Sequence, residues 1–190
     1  MKRILNTLLA LGVTLLCAGP ASAANVISNA GFETGSLAPW SLGNNFGGVE
    51  LWNVTSAASH TGDYSATAVG NSEIRQFFGP VATADIQEAS MWLMMPGTGV
   101  AFISLYYSDA SENGSVFNIG AQWAQYDVTS LLSVGKSLIG FGVYGCSGCA
   151  APSRTYMDDA VVSINAVPEP GTLALLGLAL TGFALARRKQ

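Results

Sequence analysis

Short segments rich in β-branched and aromatic residues recur along the middle of the chain, between clusters of glycine, asparagine, serine and proline. None of them has the spacing of an amphipathic helix, whereas several alternate apolar and polar side chains, which is typical of a half-buried strand. Eight such strands are enough for two packed sheets, so the pattern predicts an all-β fold, a jelly-roll β-sandwich. The predicted strands are residues 49–55, 65–69, 73–78, 87–95, 100–108, 122–128, 137–144 and 155–164.

The seventh predicted strand has two different faces. Alternation places Ile139, Phe141 and Val143 on one face, and Gly140 and Gly142 on the other. Glycine at such positions allows a neighbouring backbone, a bulge or a ligand to approach closely.

The first 23 residues have the order of a secretory signal peptide. Lys2 and Arg3 precede an apolar run over residues 4–18, and Ala21 to Ala23 supply the small residues expected before a cleavage site. The alternative is a retained membrane anchor, which the short run disfavours. We therefore expect signal peptidase to act during export and a β-sandwich ectodomain over residues 24–166.

Residues 167–190 form a second segment with three parts. The motif 167–170 is Val-Pro-Glu-Pro, the uncharged apolar stretch 171–186 follows it, and the basic end covers 187–189. As a helix the apolar stretch would reach about 24 Å, against a hydrocarbon core of about 30 Å, so we expect a short transmembrane helix. The basic end would stay in the cytoplasm, which leaves the ectodomain outside the inner membrane.

This tail resembles the PEP-CTERM sorting signal of exopolysaccharide-producing Gram-negative bacteria. The resemblance implies that exosortase, a membrane cysteine transpeptidase, reads the signal through Pro168, Glu169 and Pro170, with Arg187 and Arg188 at its end. It also implies a transient stay in the inner membrane, followed by the cell surface or the extracellular matrix. The alternative is a single-pass tail anchor, which leaves the Pro-Glu-Pro motif unexplained.

The middle of the chain is strongly acidic once the two ends are set aside. It contains three basic residues, Arg75, Lys136 and Arg154, and eleven acidic residues, which gives a net charge of −8. A domain of this charge repels phosphate backbones, so we expect no nucleic-acid partner.

Three motifs of the middle segment match a known pattern. They are NAGFE at 29–33, HTGDYSA at 60–66 and YMDDAVVS at 156–163. Together they resemble the opening, the second-strand turn and the closing strand of carbohydrate-binding-module-like jelly rolls, the galactose-binding-like sandwiches. This scaffold serves many unrelated roles, so the resemblance says more about the fold than about the function.

The same resemblance implies a structural calcium ion where the first and last strands meet. Glu33 and Asp158 would supply carboxylates, and loop carbonyls the remaining ligands. Alternation places Asp158 on one face with Ala160, Val162 and Ile164, at the edge of the core. The alternative is that Asp158 accepts backbone hydrogen bonds without a metal. We expect no organic cofactor, and the sequence has no histidine or cysteine cluster for a transition metal.

Cys146 and Cys149 lie in a glycine-rich loop before the last predicted strand. After loss of Cys17 with the signal peptide they are the only cysteines, and an oxidising compartment favours a disulfide between them. A redox pair would need a helix start, which the sequence does not indicate. A zinc site would need two more ligands, and His60 alone is not enough.

Residues for catalysis are scarce. A nucleophilic triad would have to include His60, the only histidine, which lies in the turn motif. A glycosidase would need paired carboxylates, for instance Glu73 with Asp109, but nothing in their spacing places them in one cleft. We therefore expect that the protein is not an enzyme.

Aromatic side chains on a rigid β face stack against sugar rings. Among the aromatic residues of the middle segment, Trp52 and Tyr107 are our choice of exposed platforms, with polar loops at 44–45 and 111–115 beside them. The other candidates are Trp92, Tyr106 and Trp123. Trp92 and Trp123 are expected in the core, as is Trp40.

The sequence thus predicts an exported, non-catalytic protein that binds an exopolysaccharide or another glycan. The alternative is a structural or adhesive biofilm matrix protein that acts by protein–protein association. An ice-binding role, which is linked to the same tail, is disfavoured because the middle segment lacks a regular threonine repeat.

Overall fold

The computed structural model describes residues 23–97, 99–145 and 154–165. Within them, Ala24–Asn165 form one compact unit. The predictions for the signal peptide and for the tail with Pro168, Glu169, Pro170, Arg187 and Arg188 concern residues outside this part, as does the disulfide of Cys146 with Cys149. The described part contains no helix that is long and apolar enough to cross a membrane.

Two antiparallel sheets make up the described fold, which confirms the predicted all-β sandwich. The six-stranded sheet has the order β3-β4-β11-β6-β9, with β1 also paired to β11, and the five-stranded sheet has the order β2-β5-β10-β7-β8. The strands are β1 (Ala24–Asn25), β2 (Ser41–Asn45), β3 (Glu50–Thr55), β4 (Ser65–Val69), β5 (Ser72–Ala82), β6 (Ile86–Met94), β7 (Gly99–Tyr107), β8 (Glu112–Ile119), β9 (Ala124–Asp127), β10 (Ser137–Tyr144) and β11 (Arg154–Ile164).

The sequence pattern located the central strands best. β4 and β10 have the predicted bounds, whereas β1, β2 and β8 were not predicted. β1 is only two residues long. β2 and β8 lie at the two edges of the five-stranded sheet, where most side chains meet water and the apolar alternation is weak. The polar segments 44–45 and 111–115, expected to be loops, therefore belong largely to these two strands.

The hydrophobic core lies between the sheets and also contains the two residues predicted as exposed platforms. The Trp52 side chain is buried, and its indole N–H donates to the Ser72 carbonyl at 2.8 Å. Tyr107 is buried as well, and its hydroxyl accepts a hydrogen bond from the Ser133 backbone N–H at 2.9 Å. Because each polar tip finds a backbone partner inside, burial costs little, and the prediction that these rings are exposed is wrong.

A bulge changes which residues of β10 face the core. The pairing register shifts between Leu138 and Gly140, so Leu138 is fully buried while Ile139 is only half-buried. Phe141 and Val143 point into the core as predicted. The opposite face of β10 therefore carries its glycines, which are buried beneath side chains of β5 and β7.

Candidate functional site

Three rows of side chains cross the outer face of the five-stranded sheet. They alternate along the strands with buried residues such as Ile74, Ile103 and Phe141, and therefore point away from the core. We call this face the groove. Cross-strand pairing aligns a central row of Arg75, Gly142, Ser104 and Gly114, a first flank of Phe77, Gly140, Tyr106 and Glu112, and a second flank of Glu73, Tyr144, Phe102 and Val116.

Aromatic rings line both flanks of the groove. The ring centroids of Phe77 and Tyr106 are 5.4 Å apart, and those of Phe102 and Tyr144 are 6.1 Å apart. Phe46, in the loop after β2, extends the second pair at 5.9 Å from Tyr144. Phe77 is 50% exposed and Phe46 65% exposed, so their rings are available for stacking.

Two glycines give these rings their position. A Cβ atom at Gly140 would lie 2.6 Å from the Phe77 ring, and one at Gly114 would meet the Ile103 carbonyl oxygen as well as the Phe102 ring, the latter at 2.7 Å. Real Cβ atoms do not approach other atoms so closely, so the rings occupy space that side chains would otherwise fill. The glycine face of β10 noted in the sequence thus serves the packing of the groove's rings.

A polar network occupies the middle of the groove. The buried Glu73 carboxylate accepts hydrogen bonds from Arg75 Nη1 at 3.2 Å, from the Asn44 backbone N–H at 2.9 Å and from the Tyr106 hydroxyl. Burial, followed by the hydrogen bond to Glu73, raises the pKa of the Tyr106 hydroxyl far above its usual value, so it remains a proton donor. The Asn44 side chain donates to the Tyr144 hydroxyl at 3.2 Å.

The guanidinium of Arg75 completes this network. Its central carbon lies 5.3 Å from the Phe77 ring centroid and 5.8 Å from that of Tyr106. It therefore forms cation–π contacts with both rings while it pairs with Glu73. The groove thus offers aromatic faces with a fixed polar centre, an arrangement that can stack on a ring and hydrogen-bond to its hydroxyls.

All three cationic side chains of the described residues are paired with carboxylates. Besides Arg75 with Glu73, Lys136 pairs with Asp109 at 2.9 Å, and Arg154 pairs with Glu50. Hydrogen bonds from Ser111 first, and then from Lys136, lower the pKa of Asp109. Glu73 and Asp109, considered above as a carboxylate pair, thus engage different partners, one buried in the groove and the other exposed in the turn after β7.

The loop at residues 60–64 is held by the two carboxylates that were predicted as metal ligands. Glu33 accepts the backbone N–H groups of Asp63 and Tyr64, and Asp158 Oδ2 accepts that of His60 at 2.7 Å. Glu33 and Asp158 therefore lie at the same loop, as the resemblance implied. Each carboxylate accepts backbone hydrogen bonds there. For Asp158 this is the arrangement expected if it binds no metal.

Asp158 is buried for a different reason from the one predicted. The register of β11 shifts between Asp158 and Val161, so Asp158 lies opposite the outward-facing Trp92 and not on the core face with Ala160. The loop that contains His60 covers it. Burial first, and then the adjacent Asp159 carboxylate, raise the pKa of Asp158 to about 6.

The donor chemistry at this loop fits calcium. A Cβ atom at Gly31 would lie 3.3 Å from Asp158 Oδ1 and 3.2 Å from Asp159 Oδ1, so these two oxygens converge on one glycine. Carboxylate oxygens are the ligands that Ca²⁺ prefers. The described residues contain no group of three or more histidine, cysteine or acidic side chains arranged to hold a metal, so loop carbonyls would have to complete the site.

The groove contains functional candidates that sequence reasoning missed. Tyr106 was among the aromatic candidates, but Phe46, Phe77, Phe102 and Tyr144 were not. The signal that could have found them is the alternation of Glu73, Arg75 and Phe77 on a strand beside a glycine face. Trp40 is buried as expected. Trp92, on β6 of the other sheet, and Trp123, just before β9, are only half-buried.

Comparison with known proteins bears on the tail and on the sandwich separately. Residues 166–189 match the PEP-CTERM protein-sorting motif, which indicates export with membrane-anchored processing toward the cell surface. No curated protein matches the chain.

Several solved structures are similar to the sandwich. TmCBM61, solved in complex with β-1,4-galactotriose, has a TM-score of 0.56 at 19% identity, over 75% of this chain and 99% of that one. The C-terminal family 22 carbohydrate-binding module of Clostridium thermocellum Xyn10B has a TM-score of 0.53 at 13% identity, over 77% and 99%. The CBM22-1 xylan-binding domain of Paenibacillus barcinonensis Xyn10C has a TM-score of 0.51 at 11% identity, over 78% and 100%. These similarities show that the chain shares its fold with carbohydrate-binding modules.

Proposed function

We propose that this protein is an exported, non-catalytic module that binds a neutral polysaccharide in the groove. The observation that carries the proposal is the set of aromatic rings held around the buried Glu73–Arg75–Tyr106 network. The PEP-CTERM motif and the fold shared with carbohydrate-binding modules support it. Exosortase and signal peptidase are the proposed partners during export, and an exopolysaccharide of the cell surface or a biofilm matrix is the proposed ligand.

The charges of the module favour an uncharged glycan. Arg75, Lys136 and Arg154 are each paired with a carboxylate, so none of these cations is left for a uronate or a sulfate. The Glu73–Arg75 pair in the groove is neutral as a unit. A polyanionic chain would in addition meet the net negative charge of the module.

A structural calcium ion forms part of the proposal. Glu33 and Asp158 would hold it, together with carbonyl groups of the neighbouring loops. When bound, the ion would offset the two adjacent negative charges of Asp158 and Asp159 and stabilise the loop at residues 60–64.

Affinity electrophoresis of the full chain tests the groove, in a detergent without a sugar headgroup. We expect gels containing soluble xylan or β-1,4-galactan to retard the protein, and gels containing alginate to leave its mobility unchanged. Phe77→Ala should weaken the retardation at least tenfold, because it removes a half-exposed stacking face and little core volume.

The matched control is Val134→Ala, which shortens a fully exposed side chain in the turn before β10 and should bind like the wild type. Retardation that is identical for Phe77→Ala and wild type would exclude the groove as the site. Retardation by none of the neutral polysaccharides, with concentration-dependent self-association instead, would favour a matrix protein that acts by protein–protein association.

A further inference from the structure

A second aromatic cluster lies on the outer face of the six-stranded sheet, away from the groove. The ring of His60 stacks on that of Trp92, with centroids 3.7 Å apart and planes 14° from parallel. Trp123 lies 5.9 Å from His60 and 6.4 Å from Tyr156, in tilted and edge-on contacts. We call these four residues the Trp123 cluster.

The rings of the Trp123 cluster occupy positions that ordinarily carry polar side chains. Trp92 alternates along β6 with Met91 and Leu93, which are fully buried, so it points outward. Other outward positions of the same strand are polar, such as Glu88 and Ser90. The four residues of the cluster are half-buried, and the His60 side chain is 24% exposed.

Hydrogen bonds hold the His60 ring of the cluster in place against Trp92 before any ligand arrives. His60 Nδ1 lies 2.7 Å from Asp159 Oδ2, and the His60 backbone N–H donates to Asp158. The Thr61 hydroxyl also donates to Asp159, at 2.8 Å. A ligand that stacks beside a ring fixed in this way loses less free energy to side-chain ordering.

The surroundings of the rings suit a carbohydrate better than a protein partner. The exposed Gln125 side chain on β9 and the carboxylate of Asp159 border the rings and can hydrogen-bond to hydroxyl groups. The largest exposed aliphatic and phenyl side chains of the described part, which a protein interface would bury, lie on other elements. These are Leu42, Phe46, Val49, Leu51, Phe77, Val116 and Val134.

We propose that the Trp123 cluster is a second, separate carbohydrate-binding surface that takes a neutral polysaccharide. The outer faces of the two sheets of a sandwich point in opposite directions. The protein therefore has two sites that can engage two polysaccharide chains and cross-link them. This inference goes beyond the groove and stands or falls independently of it.

Tryptophan fluorescence distinguishes the two surfaces. Trp40 and Trp52 are buried, and Trp92 and Trp123 lie in the cluster. The aromatic residues described for the groove are phenylalanines and tyrosines, with no tryptophan among them. The difference in emission between wild type and Trp123→Phe reports on Trp123. With saturating soluble xylan or β-1,4-galactan, we expect acrylamide to quench this emission at least twofold less efficiently.

Binding measurements on two variants complete the test, again with the full chain. In a Phe77→Ala background, which disables the groove, Trp123→Ala should weaken the remaining affinity for the same polysaccharide at least tenfold. Trp123→Phe keeps a ring and should retain most of it. Near-ultraviolet circular dichroism of each variant verifies that it is folded.

Each outcome decides between the two sites. Protection of Trp123 that persists in Phe77→Ala supports the cluster, even if the groove proves inactive. Binding that depends on Phe77 with no protection of Trp123 overturns the cluster and leaves the groove. No protection by either polysaccharide, with a Trp123→Ala variant that loses self-association in sedimentation, would make the cluster a protein interface and also overturn the proposal.

Discussion

Tyr106 on β7 reaches across the whole width of β10 to donate its hydroxyl hydrogen bond to the carboxylate of Glu73 on β5. Tyr106 can make this contact because Gly140 and Gly142 have no side chain on this face of β10. Glu73 also accepts hydrogen bonds from Arg75 on β5 and from the Asn44 backbone on β2, so three strands of the sheet meet at one buried carboxylate. The network therefore fixes the shape of the groove as well as its polarity.

Replacement of Tyr106 by phenylalanine should destabilise the fold. Tyr106→Phe leaves the buried Glu73 carboxylate without one of its donors, which we expect to cost about 1–3 kcal/mol of unfolding free energy. The matched control is Tyr126→Phe, whose hydroxyl donates to the Asn118 carbonyl in a more exposed setting and should cost less than about 1 kcal/mol. Urea unfolding measures both. Equal losses in the two variants would show that Glu73 does not depend on this donor.

We expect position 62 to require glycine for two reasons: its backbone conformation, and the clash of any side chain there with Glu33. Its φ angle is +61°, and a Cβ atom there would lie 2.4 Å from the Glu33 carboxylate carbon. Gly135 has a φ angle of +76° but open space around its Cβ position, so Gly135→Ala isolates the backbone strain, about 1–2 kcal/mol. We expect Gly62→Ala to cost at least about 1 kcal/mol more, because Glu33 can move only by losing its hydrogen bonds to the loop.

A double mutant checks that explanation. In a Glu33→Ala background, Gly62→Ala should cost no more than Gly135→Ala does, because the clash is gone. If the extra cost of Gly62→Ala persists without the Glu33 side chain, then the clash is not its source.

The sequence was enough to predict most of the strands, but not which side chains of each strand face the core. Alternation in the central strands predicted β4 and β10 to the residue. It could not show that Trp52 and Tyr107 would find hydrogen-bond partners inside the core, because Ser72 and Ser133 come from other segments. Burial of an aromatic residue with a polar tip depends on such tertiary partners.

Bulges are the second reason why face assignments failed. One extra residue in a strand moves all later side chains to the opposite face, and nothing in the local sequence marks the site. In β11 the bulge after Asp158 turns this residue outward, under the His60 loop. Glu33 and Asp158, which the motif resemblance named as calcium ligands, both lie at this loop and accept its backbone N–H groups. The calcium ion itself stays a prediction.

Calcium should stabilise the protein if Glu33 and Asp158 hold it. We expect the midpoint of thermal unfolding to rise with millimolar Ca²⁺ and to fall with chelator, since an ion that binds only the folded state stabilises it by mass action. Glu33→Gln should abolish this difference. Glu88→Gln, at a carboxylate that bonds to Ser90 and Gln125, should preserve it. Identical midpoints for the wild type with Ca²⁺ and with chelator would contradict a calcium site.

In chelator, the stability contributed by Asp158 should decline as the pH rises. Its pKa of about 6 in the folded state exceeds the value of about 4 for an unfolded chain, so between these values the folded protein holds a proton that the unfolded chain has released. The contribution is therefore complete below about pH 4 and is lost as the pH passes through about 6. Asp158→Asn cannot titrate, so the unfolding free energy of wild type relative to this variant should fall between pH 4 and 7 and then level off.

Asp127→Asn, at an exposed carboxylate, is the matched control for this pH dependence. A difference between wild type and Asp158→Asn that stays constant over this range, or that grows with pH, would mean that burial does not hold a proton on Asp158.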